Sequence, residues 1–295
     1  MIFEHKNHCH PEDIFDNPNQ RQCIYCNEQL QILDLSKDYW DINDDIISSS
    51  HYAKKAEFIE ETGIKEEHYN LVLDSKEVET FLEYCETCGW WRIIKHFLIS
   101  AEVHQLWTMF FGCSGTLKNL DITNINTPID EATKYLIARY NSRFSINPKL
   151  FEDVVGNVFK GIGYNVHVTG YGNDGGIDVV LGNSSENFIG VQVKRYKNKI
   201  KVEQIRAFAG ALLLNGYQQG IFVTTSDYQP GAVKASGQFK LKTLPITLIN
   251  SERFYDALKI SQRSSSDPQY ILDMISDNKI EELKYYGWSQ PHASL

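Results

Sequence analysis

The sequence predicts an α/β domain in its second half, a mixed central sheet flanked by helices, preceded by a mostly helical, cysteine-bearing N-terminal domain. Three observations predict it. From about residue 148 onward, segments of helical period alternate with short β-branched runs. All six cysteines lie in the first 113 residues. The charge is divided: residues 1–140 hold 12 basic against 24 acidic side chains, 141–260 hold 14 against 9, and 261–295 hold 3 against 5, within a net charge of -9. A length of 295 residues allows about two domains. With 42% hydrophobic and 23% charged residues, wholesale disorder is excluded. The reading divides the chain into a cysteine module (1–128), a helical linker (129–147), the α/β domain (148–262) and a linker with a short helical tail (263–295).

In the first region, MIFEHKNHCH has no apolar core of a secretory signal, so a cytoplasmic protein with reduced thiols is expected. Cys23-Ile-Tyr-Cys26 and Cys85-Glu-Thr-Cys88 are two C-x2-C knuckles separated by 58 residues. Each places two thiolates on one turn, and two such turns build a closed, structural zinc site with no open position for catalysis. The long gap requires a subdomain inserted between the halves. Cys9 lies among His5, His8 and His10 without a matching partner pair, and is read as part of a His-rich terminus rather than a second site. The apolar stretch Trp90–Phe111 is broken by Arg92, Lys95, His96, Glu102 and His104, which excludes a membrane span and reads as an amphipathic helix. His96, His104 and Cys113 are then core or surface positions, and Trp90 and Trp91 pack beneath the second knuckle. A turn-like run, Gly115–Pro128, a short helix, Glu131–Tyr140, and the run Asn141–Pro148 lead into the second domain.

There, PKLFEDVVGNVFKGIG spaces Phe151, Val154, Val155, Val158 and Phe159 as a helix, with Pro148 at its start and Gly161 and Gly163 at its end. YNVHVTG and GIDVVLG are strands, Asn183–Asn187 a turn, and FIGVQVKRY a third strand. Helix KVEQIRAFAGALLLNGY, strand QGIFVTTS, helix PGAVKASGQF, strand PITLIN and helix SERFYDALK follow, before the linker Ser264–Pro268. Gly170–Gly175 formally matches G-x-G-x-x-G, but a β-branched run follows it where a dinucleotide site needs a helix, so an Asn-Asp-Gly turn is the better reading.

Asp178 interrupts an apolar strand, where a carboxylate needs solvent or a cation. On the next strand Gln192 and Lys194 share one face while Val191 and Val193 share the other. From spacing alone two readings stay open: a polar hairpin face, or a carboxylate, an amide oxygen and an ammonium group converging on a divalent cation and a phosphate. Asp178 followed after thirteen residues by Gln192-Val193-Lys194 resembles the core motif of the PD-(D/E)XK nuclease superfamily. FEDVVGNVFKGIGYNVHVTGYGNDGGIDVVL, VQVKRYK, VEQIRAFAGAL, GIFVTTSDYQPGAVKAS and ITLINSERFYDAL, in that order over residues 147–259, resemble the catalytic domain of Mrr-type restriction endonucleases.

The resemblance implies a restriction-endonuclease-like fold and a Mg²⁺-dependent DNA endonuclease of restriction or phage defence, with Mn²⁺ as a substitute metal. A structure-specific repair or junction nuclease and a non-cleaving nucleic-acid sensor are the alternatives. It implies Asp178, the Gln192 side-chain oxygen and the Val193 carbonyl as Mg²⁺ ligands, Lys194 as the group that positions water and stabilises the phosphate, and Glu152 as an added helix carboxylate. Two departures are Ile177 in place of proline and Gln192 in place of a second carboxylate; a neutral ligand leaves Glu152 or substrate oxygens to supply charge. The run Arg195, Lys197, Lys199 and Lys201 is expected to contact the DNA backbone without reading sequence. Thr224, Thr225 and Ser226 either add hydroxyl contacts or serve turn chemistry. Cutting both strands calls for two sites, hence a homodimer or higher oligomer. The acidic N-terminal region suits a protein partner or a gate better than a DNA clamp.

Overall fold

The computed structural model describes residues 1–5, 21–36, 38–40, 42–68, 71–101, 107–170, 175–182, 188–263, 265–277 and 287–289. Cys9, His8, His10, His104, the middle of the Gly170–Gly175 segment, the Asn183–Asn187 turn and part of the expected helical tail lie outside them. Two compact units form: Phe3–Leu117 with Ser266–Leu295, and Met1–Ile2 with Lys118–Ser265. No helix among the described residues is long and apolar enough to cross a membrane.

The first unit contains β1 (Phe3–His5), β2 (Gln31–Leu35), α1 (Asp44–Thr62), β3 (Leu71–Tyr84), β4 (Trp91–Ala101) and β5 (Trp107–Leu117). The strands make an antiparallel sheet in the order β1-β5-β4-β3-β2. This corrects the expected amphipathic helix over Trp90–Phe111 and the mostly helical character of the N-terminal domain. The reason is burial on both faces. Trp91, Arg92, Ile93, Ile94 and Lys95 are all under 7% exposed, so β4 shows no alternation and imitates a long apolar helix. Its two buried cations find partners across the sheet and on the backbone. Arg92 lies in register with Glu83 and meets its carboxylate at 2.5 Å, and Lys95 Nζ donates to Trp40 O at 2.6 Å.

The second unit begins with α2 (Ile129–Ala138) and a 3₁₀ turn (Tyr140–Phe144). Then come α3 (Pro148–Gly161), β6 (Asn165–Val168), β7 (Val179–Gly182), β8 (Phe188–Lys194), α4 (Val202–Leu214), β9 (Gly220–Thr224), α5 (Pro230–Leu241), β10 (Ile246–Ile249) and α6 (Ser251–Ser261). The sheet is mixed, in the order β10-β9-β8-β7-β6, with β8, β9 and β10 parallel and β6, β7 and β8 antiparallel. The segment 129–147, expected as a linker, belongs to this unit: Ala132 and Leu136 on α2 are fully buried, and Tyr140 stacks on Tyr255 of α6 at 4.6 Å. The α4–α5 face buries Ile205, Phe208, Leu212 and Phe222 in one apolar cluster, Phe208 edge-on to Phe222. Gly190 and Gly220 lie opposite each other on β8 and β9, and a Cβ on either would come within 2.6 Å of Leu212. Their missing side chains therefore let α4 settle onto the sheet.

On α3, Asn147 caps the helix by accepting from the Lys149 N–H at 2.9 Å, with Pro148 in the first turn. Leu150, Phe151, Val154, Val155 and Val158 form its buried face, and Phe151 packs edge-on to Phe254 of α6 at 5.3 Å. That register leaves Lys149, in the first turn, and Glu152, three residues on, beside each other and partly exposed.

After the second unit the chain adds α7 (Pro268–Asp277) and β11 (Gly287–Ser289) to the first. β11 pairs with the start of β5. Ile271 and Ile275 of α7 are fully buried, and Tyr39 Oη donates to Leu272 O at 3.4 Å.

Candidate functional site

Asp178 is the last residue before β7 and is 4% exposed. Its backbone is held on both sides: its N–H donates to Val191 O at 2.8 Å, and its carbonyl accepts from the Thr169 N–H at 3.0 Å. Its Oδ2 accepts from the Val193 N–H at 2.6 Å. The turn leading into it uses Gly175 (φ 60) and Gly176 (φ 84), both in the left-handed region that favours glycine. A Cβ on Gly176 would also crowd Ala211 at 3.2 Å.

β8 shows the expected alternation. Val191 and Val193 are buried, while Gln192 and Lys194 are partly exposed. Val179 pairs with Val191, Asp178 precedes that pair with its own N–H on Val191 O, and the Gln192 side-chain Nε2 reaches toward Gly176. Strand geometry turns both polar backbone groups of Val193 to the β7 side, where Asp178 sits. The Lys194 carbonyl faces the other way and accepts from the Thr225 N–H at 3.2 Å.

From α3, Glu152 joins this edge. Burial pushes its carboxyl above the ordinary value. A hydrogen bond from Lys149 and the charge of Lys194 oppose the rise, while the charge of Asp178 adds to it. Glu152 therefore lies in the field of both Asp178 and Lys194. Lys149 Nζ donates to Glu152 Oε2 at 2.7 Å and to Thr169 O at 2.5 Å. The oxygens of two carboxylates, a backbone carbonyl and an amide side chain are ligands of the type a hard divalent cation takes, while the two ammonium groups nearby carry charge suited to a phosphate. Lys149 was not singled out from the sequence, although its i,i+3 spacing to Glu152 was the available signal.

The basic run divides. Arg195 is bound inward, Nη1 donating to Phe144 O at 3.0 Å with Nε buried. Lys199 pairs with Asp227 at 3.1 Å. Lys197 and Lys201 are exposed. The hydroxyls at the end of β9 brace this loop: Thr225 Oγ1 donates to Tyr196 O and Ser226 Oγ to Asn198 O, each at 2.8 Å. Arg143, which sequence reading passed over, donates from Nε to Thr225 O at 3.1 Å and lies over the Phe144 ring at 4.1 Å.

In the other unit, Cys23, Cys26, Cys85 and Cys88 are buried, with all four sulfurs within 4.8 Å of one another. The closest pairs, Cys23–Cys88 and Cys26–Cys85, are 3.4 Å apart. That is far beyond a disulfide of ~2.05 Å and near the ~3.8 Å edge of a tetrahedron with ~2.3 Å metal–sulfur bonds. The two turns are built alike. Each second cysteine is followed by a left-handed residue, Asn27 (φ 62) or Gly89 (φ 84), whose N–H returns to the carbonyl of the first cysteine at 2.9 Å. The second turn is the β3–β4 hairpin, so the inserted subdomain between knuckles comprises β2, α1 and β3. Trp90 and Trp91 are fully buried behind it. Hydrogen bonding from the other three thiols, Cys23 first, holds Cys85 far below its ordinary value, whereas the Cys26 contact pushes Cys23 up and burial pushes Cys88 up.

Residues 144–258 match the sequence profile of the Mrr catalytic-domain family, described as a restriction endonuclease. The type IV methyl-directed restriction enzyme EcoKMrr of Escherichia coli (strain K12) is 32% identical over 116 residues, covering 37% of this chain and 36% of that protein. Among solved structures, the DNA modification-dependent restriction endonuclease AspBHI aligns at 20% identity over 55% of this chain and 44% of its own, with a TM-score of 0.35. Restriction endonuclease FokI bound to DNA aligns at 12% identity over 54% and 36%, also with a TM-score of 0.35. The chain thus spans little more than a third of the curated relative it matches.

Proposed function

Since residues 144–258 carry a restriction-endonuclease domain of the Mrr type, we propose that this chain is a Mg²⁺-dependent endonuclease that hydrolyses DNA phosphodiester bonds in restriction or anti-phage defence. The observation that carries the reading is Asp178, buried and bound to the Val193 amide, within electrostatic reach of Glu152 on α3. Asp178, the Gln192 side-chain oxygen, the Val193 carbonyl and Glu152 would hold the ion; Mn²⁺ has the same ligand taste. When bound, such an ion polarises a phosphoryl oxygen and acidifies water. Lys194 supplies a fixed ammonium that orients the attacking water and offsets charge growing on the phosphate as the new P–O bond forms and the ester P–O bond breaks. Lys197 and Lys201 steer the backbone without reading bases.

The cysteine cluster holds a structural Zn²⁺, its four thiolates leaving no open position. The acidic first unit serves a protein partner or a gate, the active form is a dimer or higher oligomer that brings two sites to one duplex, and the protein works in the cytoplasm, where thiols stay reduced.

Cleavage of supercoiled, linear, modified, branched and single-stranded DNA in Mg²⁺ and in EDTA tests the reading. Wild-type protein cuts only with the metal, and Lys194→Ala binds DNA but does not cut. Full nicking by Lys194→Ala overturns the site. Binding without cutting by the wild type makes the protein a sensor, and selective cutting of branched DNA makes it a repair nuclease.

A further inference from the structure

Lys149 is an unusual lysine. Its side chain is only 13% exposed on the first turn of α3, although a surface helix start offers easy solvation. Its ammonium instead bridges two elements: the Glu152 carboxylate at 2.7 Å and the Thr169 carbonyl, just past β6, at 2.5 Å. Thr169 in turn grips the neighbourhood of Asp178. Its N–H donates to Asp178 O at 3.0 Å, and its hydroxyl lies 2.9 Å from both Ile177 O and Asp178 O. The Asn147 cap fixes the backbone from which Lys149 projects. One ammonium therefore ties the helix carboxylate to the loop that carries the strand carboxylate.

We propose that Lys149 is a positioning residue that fixes Glu152 beside Asp178 and braces the Thr169–Asp178 connection, so that the divalent-cation site is formed before the ion arrives. The inference rests on the nuclease reading above. Carboxylates that ligate metals are commonly oriented by an outer hydrogen-bond donor, and losing that donor costs about 10–100-fold in metal affinity. The Lys149–Glu152 bond is such a contact, and Thr169 extends it to the second carboxylate.

Mn²⁺ binding to the full chain, followed by the loss of the free-ion electron paramagnetic resonance signal, tests this without any cleavage step. Lys149→Met is expected to weaken Mn²⁺ binding by about tenfold or more, and Glu152→Gln by a similar factor. If Lys149 acts through Glu152, the double variant binds little worse than Glu152→Gln alone. Lys149→Arg, which keeps a cation there, recovers part of the loss. Lys149→Gln can still donate to Thr169 and so protects the fold should Lys149→Met melt; without the ion pair to Glu152 it is expected to bind below wild type, by a smaller factor than Lys149→Met. Wild-type affinity in Lys149→Met or Lys149→Gln overturns the inference, and so does an additive double variant. Asp178→Ala separates the two levels: if it binds Mn²⁺ normally, the site assignment itself fails, whereas loss in Asp178→Ala with no change in Lys149→Met removes only the role of Lys149.

Discussion

Asp178 combines a structural and a chemical task, and two substitutions separate them. Its Oδ2 accepts the Val193 N–H at 2.6 Å in a place where the residue is 4% exposed. Asp178→Ala leaves that amide buried without its acceptor, a cost of about 1–3 kcal/mol. For a unit of this size each kcal/mol moves Tm by about 2–4 °C, so the variant is expected to melt roughly 2–12 °C below wild type. Asp178→Asn keeps an oxygen in the same position and removes only the charge. It also relieves repulsion with Glu152, so it should melt close to wild type. Asp178→Ala loses the ligand oxygen and Asp178→Asn loses its negative charge, and both should cut DNA at least about 10²–10³-fold more slowly. Calorimetric melting in EDTA gives the first number, and supercoiled-plasmid nicking in Mg²⁺ gives the second. Wild-type nicking by Asp178→Asn would refute the ligand role. Identical melting of the Ala and Asn variants would refute the hydrogen-bond argument.

Purified protein should contain about one zinc per chain, and Cys85→Ser or strong chelation should remove it and unfold the knuckle-bearing unit, seen as a lost melting transition. Zinc content near zero in folded wild-type protein would remove the assignment. Glu152 has a raised carboxyl pKa because of burial, so the folded state favours its protonated form, and ionisation costs stability as pH rises through that raised value. Glu152→Gln should therefore raise Tm at neutral pH in EDTA, and the gain should vanish as pH falls below the ordinary carboxylate value. Lys197→Ala and Lys201→Ala should each reduce the salt slope of DNA binding by about 1 with little effect on melting. Arg195→Ala, which breaks the bond to Phe144 O, should lower Tm instead.

How much of this could be read from residues alone depended on sequence distance. α3 was legible because its apolar positions recur at helical period and its cap and proline stand next to it. The alternation that sets Gln192 and Lys194 apart from buried Val191 and Val193 on β8 was legible because the two-residue period of a strand is a local rule. β4 and β5 were not legible. Arg92 and Lys95 look like the polar face of a helix until Glu83 and the Trp40 carbonyl are brought across to them, and no local pattern shows that closure. The Lys149–Thr169 bond spans twenty residues and uses a backbone acceptor, which leaves no trace in residue type. The basic run shows the opposite: four cations in seven residues look equivalent in the sequence, yet Arg195 is bound inward and Lys199 is paired.

The misread residues share a property with the candidate site. Buried Arg92, Lys95 and Asp178 and the half-buried Glu152 each place a charge where burial opposes it; the first three are held by partners from other elements, and Glu152 by Lys149 of its own helix. In the first unit these partners complete a sheet with two covered faces, which is a structural use. In the second unit Glu152 lies in the field of Asp178, Lys149 and Lys194, and Lys149 also ties α3 to Thr169. Charges of both signs gathered against burial in this way are where a bound cation and a phosphate would return the cost. That is why relief of the Glu152 charge is expected to strengthen the fold while weakening the function.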